Sequence, residues 1–333
     1  MWRRFWNGTS KKEFEKCELK ILQEAGIEKF RIEDVYINET EFLHTIIVGE
    51  GPALVLIPGF GATVLFWYKL LKELSRHYTV YGVDPLGMGA SARPKFNSPN
   101  RSDCENFFMD SLEAWRSEIK LEHFHLVGHS FGGYLSAEYT SRYPTRVRTL
   151  ILVSPLATTK PPAGYNLKGR VAKMKCPKRG IFQTVTCCWE RGYTPFSLVR
   201  GVGRLGKYAL RVWSRNMLVS LTKEECEMIE EYCHQYLTLP PSGEYAMSHI
   251  MDPPAWGYHP IDEKIAETPN WQSPVHFIYG QKDWMNMNSF GAQKMLDDGL
   301  MKGEMHWVPR GTHHPYFDNP TATLEIILKI LGQ

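Results

Sequence analysis

The chain has 333 residues, 43% of them hydrophobic, which suffices for one large core with an inserted or appended element. A net charge of +3 on 39 basic and 36 acidic residues, with no basic stripe or like-charge tail, excludes a nucleic-acid protein of the usual kind. Seven scattered cysteines, an odd number, exclude a secreted disulfide framework and fit a reducing cytosol.

The first residues, Trp2, Arg3, Arg4, Phe5 and Trp6, carry charge but meet no long apolar run, so no secretory signal is expected and the Asn7 and Asn38 sequons are expected to be unused. No stretch approaches the ~18 apolar residues of a membrane span. A cytoplasmic protein is expected, with Trp2, Phe5 and Trp6 resting at the surface of a membrane or lipid droplet beside the two arginines. Residues 12–25 have helical periodicity, with Phe14, Cys17, Leu19, Ile21 and Leu22 on or near one side. Two strands follow, Phe30 to Tyr36 and Phe42 to Val48.

Strands and helices then alternate: strand 53–58, helix 66–77, strand 79–83, helix 103–119, strand 124–128, helix 131–142 and strand 149–153. This pattern predicts an α/β fold, a mostly parallel sheet with helices on both faces. Asp84, just past one strand, reads as an organiser of the Asp84-Pro85-Leu86-Gly87 loop. The richest segment is Gly128-His129-Ser130-Phe131-Gly132, where a strand ends and a helix begins. Glycines two before and two after a serine let the strand and helix backbones approach while the hydroxyl is lifted out of the sheet, the nucleophile elbow of serine hydrolases. The loop Pro58-Gly59-Phe60-Gly61-Ala62 follows an earlier strand, and its Phe60 amide, together with that of Phe131, is the expected pair of oxyanion donors.

After Ser154-Pro155 the alternation breaks. Residues 158–256 are rich in basic, aromatic, Gly and Pro positions and read as a cap inserted over the C-terminal ends of the strands. Lys168, Arg170, Lys173, Lys175, Lys178 and Arg179 give its first part a positive face that suits phosphate headgroups or solvent. The expected divisions are thus an N-terminal segment 1–29, a core from 30–157, the cap, and a second core part from 257–333.

Val275 to Tyr279 resumes the strand pattern, and Asp283 lies in the loop beyond Gly280. Met305 to Val308 is another strand, followed by Arg310-Gly311-Thr312-His313. Serine, acid and histidine in this chain order make Ser130 the nucleophile, Asp283 the acid and His313 the base, with His314 as rival to His313. Asn319-Pro320 reads as an N-cap and first helical residue of a closing helix, which puts Asp318 where a carboxylate favours the helix dipole. No His-Glu-x-x-His or paired Cys-x-x-Cys spacing is present, so neither metal nor cofactor is expected.

The elbow, the Pro58-Gly59-Phe60-Gly61 loop and the ordered triad resemble the α/β-hydrolase superfamily across nearly the whole chain. The Trp-bearing N-terminus, Thr194-Pro195-Phe196-Ser197-Leu198-Val199-Arg200, Pro241-Ser242-Gly243-Glu244, Tyr279-Gly280-Gln281-Lys282-Asp283-Trp284-Met285-Asn286 and His313-His314-Pro315-Tyr316-Phe317-Asp318 resemble a lipid-hydrolase subfamily. That subfamily holds a lipase coactivator, an N-acylphosphatidylethanolamine lipase and plant lysophospholipid acyltransferases. The resemblance implies glycerophospholipid or lysophospholipid substrates. It also implies that His313 and Asp318 match a His-x-x-x-x-Asp pattern linked to acyl transfer onto lysophosphatidic acid, with acyl-CoA as a donor in that case. The coactivator has asparagine where this chain has Ser130, which favours hydrolysis here.

Overall fold

Runs rich in β-branched and aromatic residues form β1 (Phe30–Tyr36), β2 (Phe42–Val48), β3 (Ala53–Ile57), β4 (Thr79–Val83), β5 (Phe124–His129) and β6 (Val147–Val153). A short ribbon of β7 (Met251–Asp252) and β8 (Trp256–Gly257) stands apart, and β9 (Val275–Gly280) and β10 (Met305–Val308) complete the series. The main sheet has the order β1-β2-β4-β3-β5-β6-β9-β10. Its β1–β2 and β2–β4 pairings are antiparallel, and every pairing from β4 through β10 is parallel. The structure, a computed structural model, describes residues 8–333 apart from 173, 177, 192, 253 and 254; at some helical positions, including Lys168, Arg170 and Lys178, it describes the backbone only. Trp2, Phe5, Trp6 and Lys173 therefore lie outside the described residues.

Parallel neighbours need crossovers, and helices supply them on both faces. Leu54 and Leu56 enter one core while Val55 and Ile57 enter the other, and Leu150 and Leu152 likewise oppose Ile151 and Val153. Helices α1 (Lys11–Glu24) and α2 (Tyr68–Leu74) pack on the Leu54 side, whereas α3 (Arg101–Glu118) and α4 (Phe131–Arg142) pack on the Val55 side. The segment between β6 and β9 holds the β7–β8 ribbon and, among the described residues, seven α-helices: α5 (Leu167–Ala172), α6 (Lys178–Glu190), α7 (Pro195–Gly201), α8 (Gly206–Met217), α9 (Lys223–Leu237), α10 (Met247–Ile250) and α11 (Ile261–Glu267). After β9 come α12 (Ser289–Asp297), α13 (Pro315–Asp318) and α14 (Pro320–Ile330). Asn319 caps α14 by accepting from the Ala322 amide at 3.2 Å, with Pro320 in the first turn.

Two local expectations change. The helix expected over 66–77 arrives as a 3₁₀ turn, Val64–Trp67, leading into the shorter α2. Asp84 explains the turn: its buried carboxylate accepts from the Val64 amide at 2.8 Å and from the Ala90 amide at 2.9 Å, tying two loops together. On α1, Leu19 is exposed and Glu18 is buried, the reverse of its polarity. The reason is His44 on β2, whose ring lies 3.1 Å from Glu18 and 2.8 Å from Asp34, so that one imidazolium joins helix and sheet.

Burial alone would lower the His44 pKa, but hydrogen bonds to Asp34 and Glu18 and the Glu18 charge outweigh it and raise it to about 10. The folded protein therefore holds this proton between pH 6.5 and 10 where the unfolded chain has released it. The stabilisation is full below pH 6.5 and disappears as pH rises toward 10, with a slope of up to ~1.4 kcal/mol per pH unit from this group. The expected result is a wild-type Tm that falls across that window more steeply than the Tm of His44→Gln, measured by circular dichroism; parallel curves would remove His44 from the account.

Candidate active site

Ser130 joins β5 to α4 with φ 52° and ψ −115°, a conformation that L-residues rarely adopt. It is held there by its amide donating to Val153 at 2.9 Å and by its carbonyl accepting from Leu156 at 3.0 Å. The flanking glycines are required by contact as well as by shape. A Cβ at Gly128 would lie 2.3 Å from the Gly132 carbonyl oxygen, and one at Gly132 would lie 2.4 Å from those of Ile57 and Pro58. The turn therefore compresses strand, helix and the β3 loop into a space that admits no side chain at these positions.

His313 comes from the loop after β10, and its Nε2 lies 3.1 Å from Ser130 Oγ. Its Nδ1 lies 3.2 Å from Oδ1 of Asp283, in the loop after β9. The two loops meet because Gly280 has no side chain: a Cβ there would sit 2.3 Å from the Thr312 carbonyl oxygen. Burial alone would raise the Asp283 carboxyl, but the His313 hydrogen bond and charge hold it below the usual range, helped by the Ser154 hydroxyl and the Met285 amide. An ionised acid, a histidine and a serine thus line up in hydrogen-bonding order, and the arrangement can deliver a proton from serine to histidine.

The chain brings His313, not His314, to Ser130 and Asp283. His314 is buried against Phe66 and Phe317, with ring centroids at 6.2 and 6.0 Å. Burial, and next the neighbouring His313, hold its pKa well below the ordinary range.

The β3 loop lies against the elbow, since a Cβ at Gly59 would be 3.2 Å from Ser130 Cβ. Among the described residues, the Phe60 and Phe131 amides meet no protein acceptor, and the two rings cross edge to face at 6.4 Å. The loop also carries the inserted segment: Phe196 of α7 stacks on Phe60 at 4.9 Å, and Gly61 packs directly beneath the Phe196 ring. Arg200 of α7 pairs with Glu244 at 2.5 Å, which fixes that helix to the 3₁₀ turn before α10. Ser130 and His313 are each only 8% exposed, so the site opens narrowly.

The sequence pattern left His129 unassigned. Its Nε2 donates to the His313 carbonyl at 2.8 Å, and Tyr316 donates to its Nδ1 at 3.2 Å. Burial first, then the charges of His313 and His314, hold its pKa well below the ordinary range. A neutral imidazole with a defined tautomer thereby grips the backbone of His313. The available signal was a histidine set between Gly128 and Ser130, where the strand enters the elbow. Trp284 was also passed over; it is half-exposed and lies 5.2 Å from the His313 ring, forming one wall.

Asp318 needs correction. Its carboxylate does not address α14, whose cap is Asn319; it accepts from the Thr312 amide at 2.5 Å, the Thr312 hydroxyl at 2.6 Å and the Ser220 hydroxyl at 2.6 Å. It thus holds the residue preceding His313 and links that loop to the inserted segment.

A family model described as alpha/beta hydrolase fold matches residues 52–180. The chain is 33% identical over 299 residues to a rice protein, Oryza sativa, named probable 1-acylglycerol-3-phosphate O-acyltransferase, a match covering 86% of this chain and 69% of the relative. It is 28% identical over 318 residues to the human (Lyso)-N-acylphosphatidylethanolamine lipase, covering 94% and 89% of the two chains. A crystal structure of a bacterial membrane phospholipase A is similar in fold, with a TM-score of 0.66 at 16% identity over 96% of this chain and 90% of that one.

Proposed function

Because the chain belongs to the α/β-hydrolase family, in its lipid-related branch, we propose that it cleaves acyl esters of phospholipids or lysophospholipids through an acyl-serine intermediate. The observation that carries this reading is the unbroken chain Ser130 Oγ, His313, Asp283 beside two unclaimed backbone amides. Ser130 Oγ attacks the ester carbonyl as His313 Nε2 takes its proton, and the Phe131 and Phe60 amides receive the oxyanion, each contributing roughly 3 kcal/mol to lowering the barrier. The C–O bond then breaks and His313 returns the proton to the leaving alcohol. Water, deprotonated by the same imidazole, releases the fatty acid and restores Ser130.

The test is a fluorophosphonate probe followed by turnover of a lipid panel. Labelling with release of fatty acid from a phospholipid or lysophospholipid supports the reading; absence of both removes it and favours a non-catalytic coactivator.

The second reading is acyl transfer to a lysophospholipid such as lysophosphatidic acid, for which the rice relative's name and the His313 and Asp318 pattern speak. Both reactions share the acyl-enzyme. With Asp318 supporting the Thr312 backbone, Asp318→Asn is expected to lower hydrolysis and transfer together, several-fold each, as measured with the same acyl donor in the presence and absence of lyso-acceptor. Loss of transfer alone would promote the second reading.

We further propose peripheral contact with a membrane or lipid droplet, by Trp2, Phe5 and Trp6 and by the inserted segment. No helix among the described residues is long and apolar enough to cross a membrane. The inserted segment exposes Leu198, Leu205, Tyr208, Val212 and Val219, interleaved with Lys207, Arg211 and Arg215. Rings and aliphatic chains beside cations suit an anionic lipid surface.

A further inference from the structure

On the face of the sheet formed by β9 and β10, His276, Glu304 and His306 converge. His276 Nδ1 lies 3.4 Å from His306 Nε2, and Glu304 Oε2 lies 3.7 Å from the same His306 nitrogen. One ligand atom from each residue falls within 4.8 Å of the others. The register explains the convergence: the pairing of Met305 with Phe277 and of His306 with Ile278 sets His276 level with Glu304, so all three positions point to one face. None of this is visible as local spacing, since His306 lies on β10, Glu304 immediately before it and His276 on the neighbouring strand.

We infer that these three side chains form a zinc site. Ligand atoms held ~2.0–2.1 Å from a tetrahedral zinc are separated by roughly 3.3–3.4 Å along each edge, which is the separation the two imidazole nitrogens already have. The Glu304 carboxylate, 3.7 Å from His306 Nε2 and within 4.8 Å of the His276 ligand atom, completes the set by a shift of at most about 1.5 Å. Its side chain is 67% exposed, which gives it that freedom and gives the ion a way in. Two imidazoles and one carboxylate are a borderline-soft donor set that suits zinc, with water completing the coordination.

The site is distinct from the triad. His276 lies near the start of β9 and Asp283 beyond its end, about 13 Å of strand away at the usual rise per residue. Its consequence is mechanical. The ion joins edge strand β10 to β9, the two strands whose following loops carry His313 and Asp283.

Titration of metal-stripped protein with Zn2+ by calorimetry, with Tm followed in parallel, tests the site. The expected result is one equivalent bound, a rise in Tm, and a Kd weakened at least tenfold in His276→Ala and in His306→Ala. Glu304→Gln, at an exposed position, gives the same direction without risk to folding. Zn2+ binding unchanged in Glu304→Gln and His276→Ala would place the ion elsewhere and overturn the inference, as would the absence of binding at 100-fold excess Zn2+. Because the readouts are heat and Tm, the result is independent of whether the protein cleaves esters.

Discussion

Replacing Ser130 by alanine is expected to abolish fluorophosphonate labelling and to lower ester turnover by about 10⁶-fold, the cost seen when a triad loses its nucleophile. The hydroxyl's recorded partner is His313 Nε2 at 3.1 Å, and its loss frees one imidazole nitrogen at a site that opens to substrate. The backbone remains in the same strained conformation, because alanine tolerates φ 52° no better than serine. Folding should therefore be almost unchanged, with Tm within a few degrees of wild type. Full-rate turnover in a folded Ser130→Ala protein would refute the acyl-serine mechanism.

His313→Ala should cost nearly as much as Ser130→Ala, because the residues act as a unit and the serine hydroxyl is a weak nucleophile without its base. The double variant should be little worse than either single one. Asp283→Asn should cost less, since the acid orients the imidazole and stabilises its charged form without touching the ester. His314→Ala should retain most activity, for this ring packs on Phe66 and Phe317 rather than on Ser130, although the cavity it leaves will lower Tm. The decisive measurement is kcat/KM on a soluble short-chain ester for all five variants, Ser130→Ala and the double variant included. An inactive, folded His314→Ala beside an active His313→Ala would reverse the assignment.

What could be read from the chain divides along the range of the interactions involved. The elbow was legible because its requirement is local: Gly128 and Gly132 must flank Ser130 within five residues, and the strand before and helix after announce themselves by pattern. Most sheet strands were legible for the same reason. The inversion at Glu18 was not, since a buried carboxylate on a helix makes sense only when His44 arrives from another strand. His129 and Asp318 were missed or misread because each acts on the backbone next to His313, one through a carbonyl and the other through the Thr312 amide, and backbone partners leave no trace in residue identity. His276, Glu304 and His306 belong to the same class, as their meeting depends on the register of two parallel strands.

Ser130 and His313 are 183 residues apart in the chain, and they touch only because the strand bearing the base takes the outermost parallel place in the sheet. At ~5–20 residues per second, synthesis separates the two by roughly 10–40 s. During that interval the emerging polypeptide holds Ser130 without the imidazole that the proposed mechanism needs to activate it. Acquisition of reactivity is thereby tied to the last long-range strand pairing, among the slowest contacts a chain can make. On the proposed acyl-serine mechanism an incompletely assembled copy would lack this activation, so ester turnover would report completed folding and serve as an assay for refolding.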